Sequence, residues 1–197
     1  MSHAGTEDKF LKTLFPENME GVRILDVGHG YGATGLYIRT RTYKQGWAEI
    51  YGLDPFKEYH DLMGRIGIYD FLDHGFGENM HYQDGFFDLC IAQHVIEHLE
   101  KKQGFKLLEE MERVTAKDGR VIICTPNGYT ESGPLDGNVY NNHLSGWCIK
   151  DVEDLGYSTR IVTKNVNSRL LTWFAKTVFW LKRKRWDNEV LVAWKDL

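Results

Sequence analysis

The sequence predicts an α/β fold built on a mostly parallel sheet, and three observations carry that prediction. Short apolar runs alternate with longer helical stretches, so that successive strands need crossover connections. The first strand runs into a glycine-rich turn that opens a helix. No repeat or low-complexity linker divides the chain, and 197 residues suit a single domain (1–197) able to bury a substantial core.

The elements follow in order. Residues 22–27 form a compact apolar run broken only by Arg23 and Asp26, and residues 35–42 are helical in pattern. A second strand over 48–53 ends at Asp54, followed by a helix near 57–66 and a short strand around 69–74. Residues 87–92 have the continuous apolar character of a strand buried on both faces. Phe105, Leu108, Met111 and Val114 recur every three residues and so lie near one helical face. Residues 121–124 are another buried strand, stopped by Pro126 and Asn127. The loop over 127–146 is long enough to suspect a function. A short helix over 147–155, a strand over 157–163 and a last strand over 189–194 complete the chain.

Between the last two strands, residues 166–187 read as a helical insertion, apolar over 170–181 and basic at Lys182, Arg183, Lys184 and Arg185. Its apolar part is shorter than the roughly 20 residues of a bilayer span. Residues 169–186 read either as core with a solvated basic end, or as a cover for the site, a dimer surface or a peripheral membrane contact.

Composition is ordinary, with 42% apolar and 26% charged residues, and the net charge of −4 argues against a dedicated nucleic-acid coat. A small-molecule substrate is the expectation instead. Cys90, Cys124 and Cys148 match neither a disulfide framework nor a zinc spacing, and the polar stretch 1–9 lacks a secretory h-region. A reducing, cytoplasmic setting is the simplest reading.

The most informative stretch is Asp26-Val27-Gly28-His29-Gly30-Tyr31-Gly32. Glycines let the backbone turn sharply and approach a ligand, and the following helix N-terminus offers unpaired N–H groups. Residues 30–35 also spell the G-x-G-x-x-G dinucleotide fingerprint, which keeps an NAD-dependent oxidoreductase as an alternative. Asp26, however, stands two residues before the first glycine. A carboxylate there repels a pyrophosphate and suits a ligand that carries an ammonium and a sulfonium.

This stretch resembles motif I of the class I S-adenosylmethionine-dependent methyltransferases. Asp54, closing Ile50-Tyr51-Gly52-Leu53-Asp54, is similar to the acid of that family that holds the ribose hydroxyls. Residues 87–92 with Val95-Ile96-Glu97-His98-Leu99 resemble the fourth-strand motif and its exit, and 119–126 looks like the fifth strand. The resemblance covers roughly 20–160 and suggests a small single-domain member of the type 11/12 kind. It implies a Rossmann-like, mostly parallel seven-stranded sheet with an antiparallel last strand and helices on both faces. It also implies S-adenosyl-L-methionine as cofactor, held by Asp26, Gly28, His29, Gly30, Gly32, Asp54, Pro55, Phe76 and Gln93. The sequence departs from the family where many members carry an adenine-binding acid. Gly75-Phe76 stands there, leaving Phe76 to cover the ring or Asp73, Glu78 or Asp84 to reach it.

His94-Val95-Ile96-Glu97-His98 spells the H-x-x-E-H zinc pattern. The strand exit already accounts for it, and His94 replaces the first acid of the E-x-x-E-H element linked to a cation in ubiquinone-pathway O-methyltransferases, so no metal is expected. Asn141-Asn142-His143-Leu144-Ser145-Gly146-Trp147 resembles an H-x-S-x-W stretch of some small class I members. His143 and Trp147 either anchor the loop or bring a titratable imidazole over the cofactor cleft. His143 is the first candidate for a general base and His94 the second. The expected activity is methyl transfer to an oxygen or nitrogen of a small molecule, with an inactive scaffold of the same fold as the alternative.

Overall fold

The structure, a computed structural model, describes residues 10–133, 137–163 and 189–197. The expected helical insertion at 166–187 lies outside these residues. Among the described residues no helix is long and apolar enough to cross a membrane.

Among the described residues seven strands alternate with four α-helices in the order β1 Arg23–Val27, α1 Ala33–Thr42, β2 Glu49–Asp54, α2 Lys57–Ile66, β3 Phe71–His74, β4 Phe87–Gln93, α3 Lys101–Val114, β5 Thr115–Pro126, α4 Ile149–Glu153, β6 Ser158–Thr163 and β7 Glu189–Asp196. They form one sheet in the order β3-β2-β1-β4-β5-β7-β6. Neighbours from β3 to β5 pair in parallel, and β7 runs antiparallel to both β5 and β6. This is the Rossmann-like arrangement that the resemblance implies.

Alternate residues of each central strand enter opposite layers, which is why those strands read as unbroken apolar runs. Leu25, Val27, Val121 and Ile123 join α3 residues Leu107, Leu108 and Met111 on one face. Ile24, Ile122 and Cys124 pack on the other with Ile38 of α1, Met63 of α2 and the N-terminal Leu11 and Phe15. Helices therefore cover both faces.

One element differs from expectation. Strand β5 begins at Thr115, not at 121: Thr115 pairs with Phe87, a register shift follows before Arg120 pairs with Leu89, and only the second half is a buried apolar run. After β4 the chain makes a 3-10 turn over Ile96–His98, preceded by His94 at a left-handed φ of 57°. His94 and His98 therefore do not share an α-helical face, and the geometry behind the H-x-x-E-H zinc pattern is absent.

Strand order reverses between β1 and β4. In open α/β sheets the crevice at the carboxyl ends of such strands is where ligands bind. The loops leaving β1, β2, β4 and β5 all meet there.

Candidate functional site

The glycine loop after β1 is set by its backbone. Gly28, Gly30 and Gly32 have φ of 68°, 50° and 75°, a region costly for any residue with a Cβ. A Cβ on Gly28 would lie 2.4 Å from Val95 Cγ2, whereas one on Gly30 would meet nothing within 4 Å. The first glycine thus permits packing against the β4 exit, and the second faces open space. The loop is pinned to β2: Gly28 N–H donates to Leu53 O at 2.7 Å, and Gly30 N–H to Asp54 Oδ2 at 3.0 Å. Phe56 N–H donates to Asp54 Oδ1 at 2.8 Å, so Asp54, buried at the tip of β2, ties the two loops together.

Asp26 lies behind this loop and is 1% exposed. Its Oδ2 accepts a 2.7 Å hydrogen bond from the Tyr69 hydroxyl, while its buried Oδ1 has no protein partner. Burial pushes its pKa up to about 7, with the Asp54 charge adding to the rise and the Tyr69 bond opposing it. Nothing in the sequence pairs Tyr69 with Asp26, since 43 residues separate them.

The other expected cofactor residues are distributed around this crevice. The His29 ring turns inward: it packs at 5.1 Å on Tyr69, Nδ1 donates to Gly30 O, and burial lowers its pKa. Gln93, at the end of β4, accepts from Thr34 Oγ1 at 2.9 Å and so joins the start of α1 to the crevice. Pro55 O accepts from His74 Nε2 at 3.0 Å. Phe76 is exposed and meets Tyr140 of the long loop edge-on. The acids near Phe76 are engaged elsewhere: Asp73 by the Tyr82 hydroxyl, Asp84 by Arg113 and Glu78 by Gln103. Beside the loop, Tyr31, Phe56, Tyr59 and Leu62 line a cavity of about 410 Å³.

A second cluster stands one strand away, between the exits of β4 and β5. Glu97 is 2% exposed; its Oε2 accepts from Thr125 Oγ1 at 2.9 Å, and Oε1 lies 3.1 Å from His94 Nδ1. Burial works to raise its pKa, but the His94 bond and the neighbouring histidines outweigh that and hold it below the ordinary glutamate value. Burial lowers the pKa of His98, whose ring meets His143 with centroids 4.8 Å apart.

The long loop reaches this cluster through a division of labour within His143-Leu144-Ser145-Gly146-Trp147. Trp147 is fully buried, donates to Ser145 Oγ at 2.9 Å, and packs so tightly on α3 that a Cβ on Gly104 would fall 2.3 Å from it. Leu144 and Ser145 N–H groups donate to Glu97 O at 2.8 and 3.1 Å. Trp147 therefore anchors the loop, and His143 stands against His98. Of the two candidate bases, His94 meets Glu97 and His143 meets His98.

A family model described as a methyltransferase domain matches residues 25–123, half of the chain. Over 115 residues, 56% of the chain, the sequence is 33% identical to ajmaline N-methyltransferase of Rauvolfia serpentina, and the chain spans 39% of that relative's length. The S-adenosylmethionine-dependent methyltransferase of Archaeoglobus fulgidus superposes with a TM-score of 0.64 at 15% identity, covering 97% of this chain and 93% of its own. That of Mesorhizobium loti gives 0.61 at 15%, covering 96% of each. At such identities the two solved structures share the fold. The matched segment runs from β1 to β5 and contains both the glycine loop and the β4 exit; this chain belongs to the methyltransferase domain family, whose cofactor is S-adenosylmethionine.

Proposed function

We propose that the chain transfers the methyl group of S-adenosylmethionine to an oxygen or nitrogen of a small molecule. The observation that carries this reading is the orphaned carboxylate oxygen of Asp26 behind a loop whose central glycine faces open space. A buried, unpartnered carboxylate oxygen is costly, and a cationic ligand or a water held by it relieves that cost. In this reading Asp26 and the glycine loop serve the methionyl end, Asp54 the ribose hydroxyls, and Pro55 and Phe76 the base.

The cofactor supplies a methyl group on a sulfonium, a good leaving group, so the protein's task is largely to position the acceptor. The acceptor loses a proton as its bond to the methyl carbon forms. His143 Nδ1 donates to Thr130 O at 2.7 Å, which leaves Nε2 as the proton acceptor of the neutral ring. His94 is held by Glu97 at the same exit. The aromatic cavity beside Tyr31 suits a small, partly apolar acceptor. The named activity of the Rauvolfia relative, on a nitrogen, supports the nitrogen half of the proposal.

The test uses S-adenosylmethionine labelled with tritium in the methyl group, offered with a panel of amines and hydroxylated aromatic compounds. The expected result is label in one acceptor class with stoichiometric S-adenosylhomocysteine. Saturable S-adenosylhomocysteine binding with no label across the panel would contradict methyl transfer and favour the inactive scaffold.

A further inference from the structure

We infer that the cavity between the glycine loop and α2 is a subsite for an organic ammonium group, held by the rings of Tyr31, Phe56 and Tyr59 and by the carboxylate of Glu58. These four side chains line one cavity of about 410 Å³. The rings are inclined to one another: Tyr31 and Phe56 meet Tyr59 at centroid distances of 4.5 and 4.9 Å and at angles of 56° and 74°. Rings set at such angles enclose a recess, where parallel ones would stack flat. Tyr59 is buried and Tyr31 exposed, so the recess deepens from the surface toward Tyr59. The negative face of an aromatic ring attracts a cation, and an ammonium clothed in alkyl groups suits an aromatic recess better than a bare one.

Glu58 supplies a second, independent observation. It stands in the first turn of α2 and lines the same cavity. The lysine beside it is already engaged, with Lys57 Nζ 2.7 Å from Asp61 Oδ2, and among the described residues no cation pairs with Glu58. An acid in a first turn also suits the helix dipole. The dipole asks only for an acid in that turn, not for three rings around the same cavity. Charge and rings favour one ligand and oppose others: the carboxylate repels a phosphate or carboxylate compound, and an uncharged apolar ligand gains nothing from it.

The position of the recess assigns its occupant. Tyr31 stands between Gly30 and Gly32, and Phe56 N–H donates to Asp54, so the cavity opens beside the crevice without using the side chains read as holding the cofactor. Asn141 Nδ2 donates to the Tyr59 hydroxyl oxygen at 3.5 Å, which brings the loop bearing His143 against the same wall. Resting on the methyl-transfer reading, the acceptor is then a small compound that carries a positively charged nitrogen, and Glu58 is the residue that selects for that charge.

Choline and 3,3-dimethylbutan-1-ol, which has carbon in place of the charged nitrogen, are the probes. Each is titrated calorimetrically into the full chain, without and with saturating S-adenosylhomocysteine. Saturable choline binding in both conditions, at least about tenfold tighter than that of the alcohol, is expected. Glu58→Gln should weaken choline binding by at least about threefold and reduce its salt dependence, with the alcohol unaffected. Tyr31→Leu keeps apolar bulk but removes a ring, and should cut the preference for choline by at least about threefold. Glu49→Gln, at an exposed acid at the far end of β2, should change neither. Absence of saturable choline binding, equal binding of the two probes, or a choline affinity indifferent to Glu58→Gln would overturn the inference. So would displacement of choline by S-adenosylhomocysteine, because the recess would then belong to the cofactor. The wild-type comparison needs no variant to fold. If choline binds as described while no compound of the acceptor panel takes label, the recess stands and the enzymatic reading fails. If label goes only to compounds without a charged nitrogen, the enzymatic reading stands and the recess falls.

Discussion

Asp26 is a carboxyl group whose charge the surrounding fold resists. Its pKa moves from 3.8 in the unfolded chain to about 7 in the folded one because burial removes its water. The folded state therefore binds the proton more tightly, and the stability this adds is present below about pH 4 and lost as pH rises through about 7. A cationic ligand prefers the ionised form, so affinity for S-adenosylhomocysteine, which keeps its ammonium, should rise as pH passes from 6 to 8. Calorimetry near neutral pH in buffers of different ionisation heat should show proton release on binding. Asp26→Asn should abolish both the release and the pH dependence, and their persistence in that variant would assign them to another group. The residues that carry this behaviour were unequally legible. Asp26 was visible as an acid ahead of glycines, but Tyr69, which donates to it, carries no sequence signal because the pair forms only when β3's approach crosses behind the loop. His29 shows the opposite case: its place in the motif suggests a ligand contact, and its ring packs inward on Tyr69.

At the scale of the element, the glycine loop separates packing from ligand access within three residues. Gly28→Ala would drive a methyl group 2.4 Å from Val95 at φ 68° and should lower stability by about 2–4 kcal/mol, read from denaturant unfolding. Gly30→Ala meets no neighbour, so its stability loss should stay near the 1–2 kcal/mol of a left-handed alanine, while S-adenosylhomocysteine affinity falls by more than about tenfold. Equal effects of the two changes on stability and on binding would remove the distinction. The elements themselves were largely readable: α2 occupies the residues its pattern predicts, and β4 and the end of β5 show as apolar runs because both faces are buried. The start of β5 was not readable, since only Thr115 pairs with β4 before the irregularity over 116–119, and that stretch carries no hydrophobic period. The H-x-S-x-W stretch was readable as a motif but not as a mechanism. Only the fold shows that Trp147 locks onto α3 while His143 turns to His98.

For the whole molecule, the sheet order explains why residues so distant in sequence share one site. Reversal between β1 and β4 opens the crevice, and parallel pairing sends the carboxyl ends of β1, β2, β4 and β5 to the same edge, so Asp26, Asp54, Gln93 and Thr125 converge. Alternating strands and helices predict a mostly parallel sheet, and the motif resemblance implies its seven strands and antiparallel last one, whereas the Glu97–His98–His143 cluster depends on where a long loop returns. The central claim is that this crevice receives a cationic methionyl nucleoside and not a diphosphate. It is tested most directly by calorimetric titration of S-adenosylhomocysteine and of NAD into the wild type and Asp54→Ala. Saturable binding of the adenosyl ligand alone is expected, weakened by at least about tenfold, or roughly 1.4 kcal/mol, in Asp54→Ala; saturable binding of NAD alone would contradict the account.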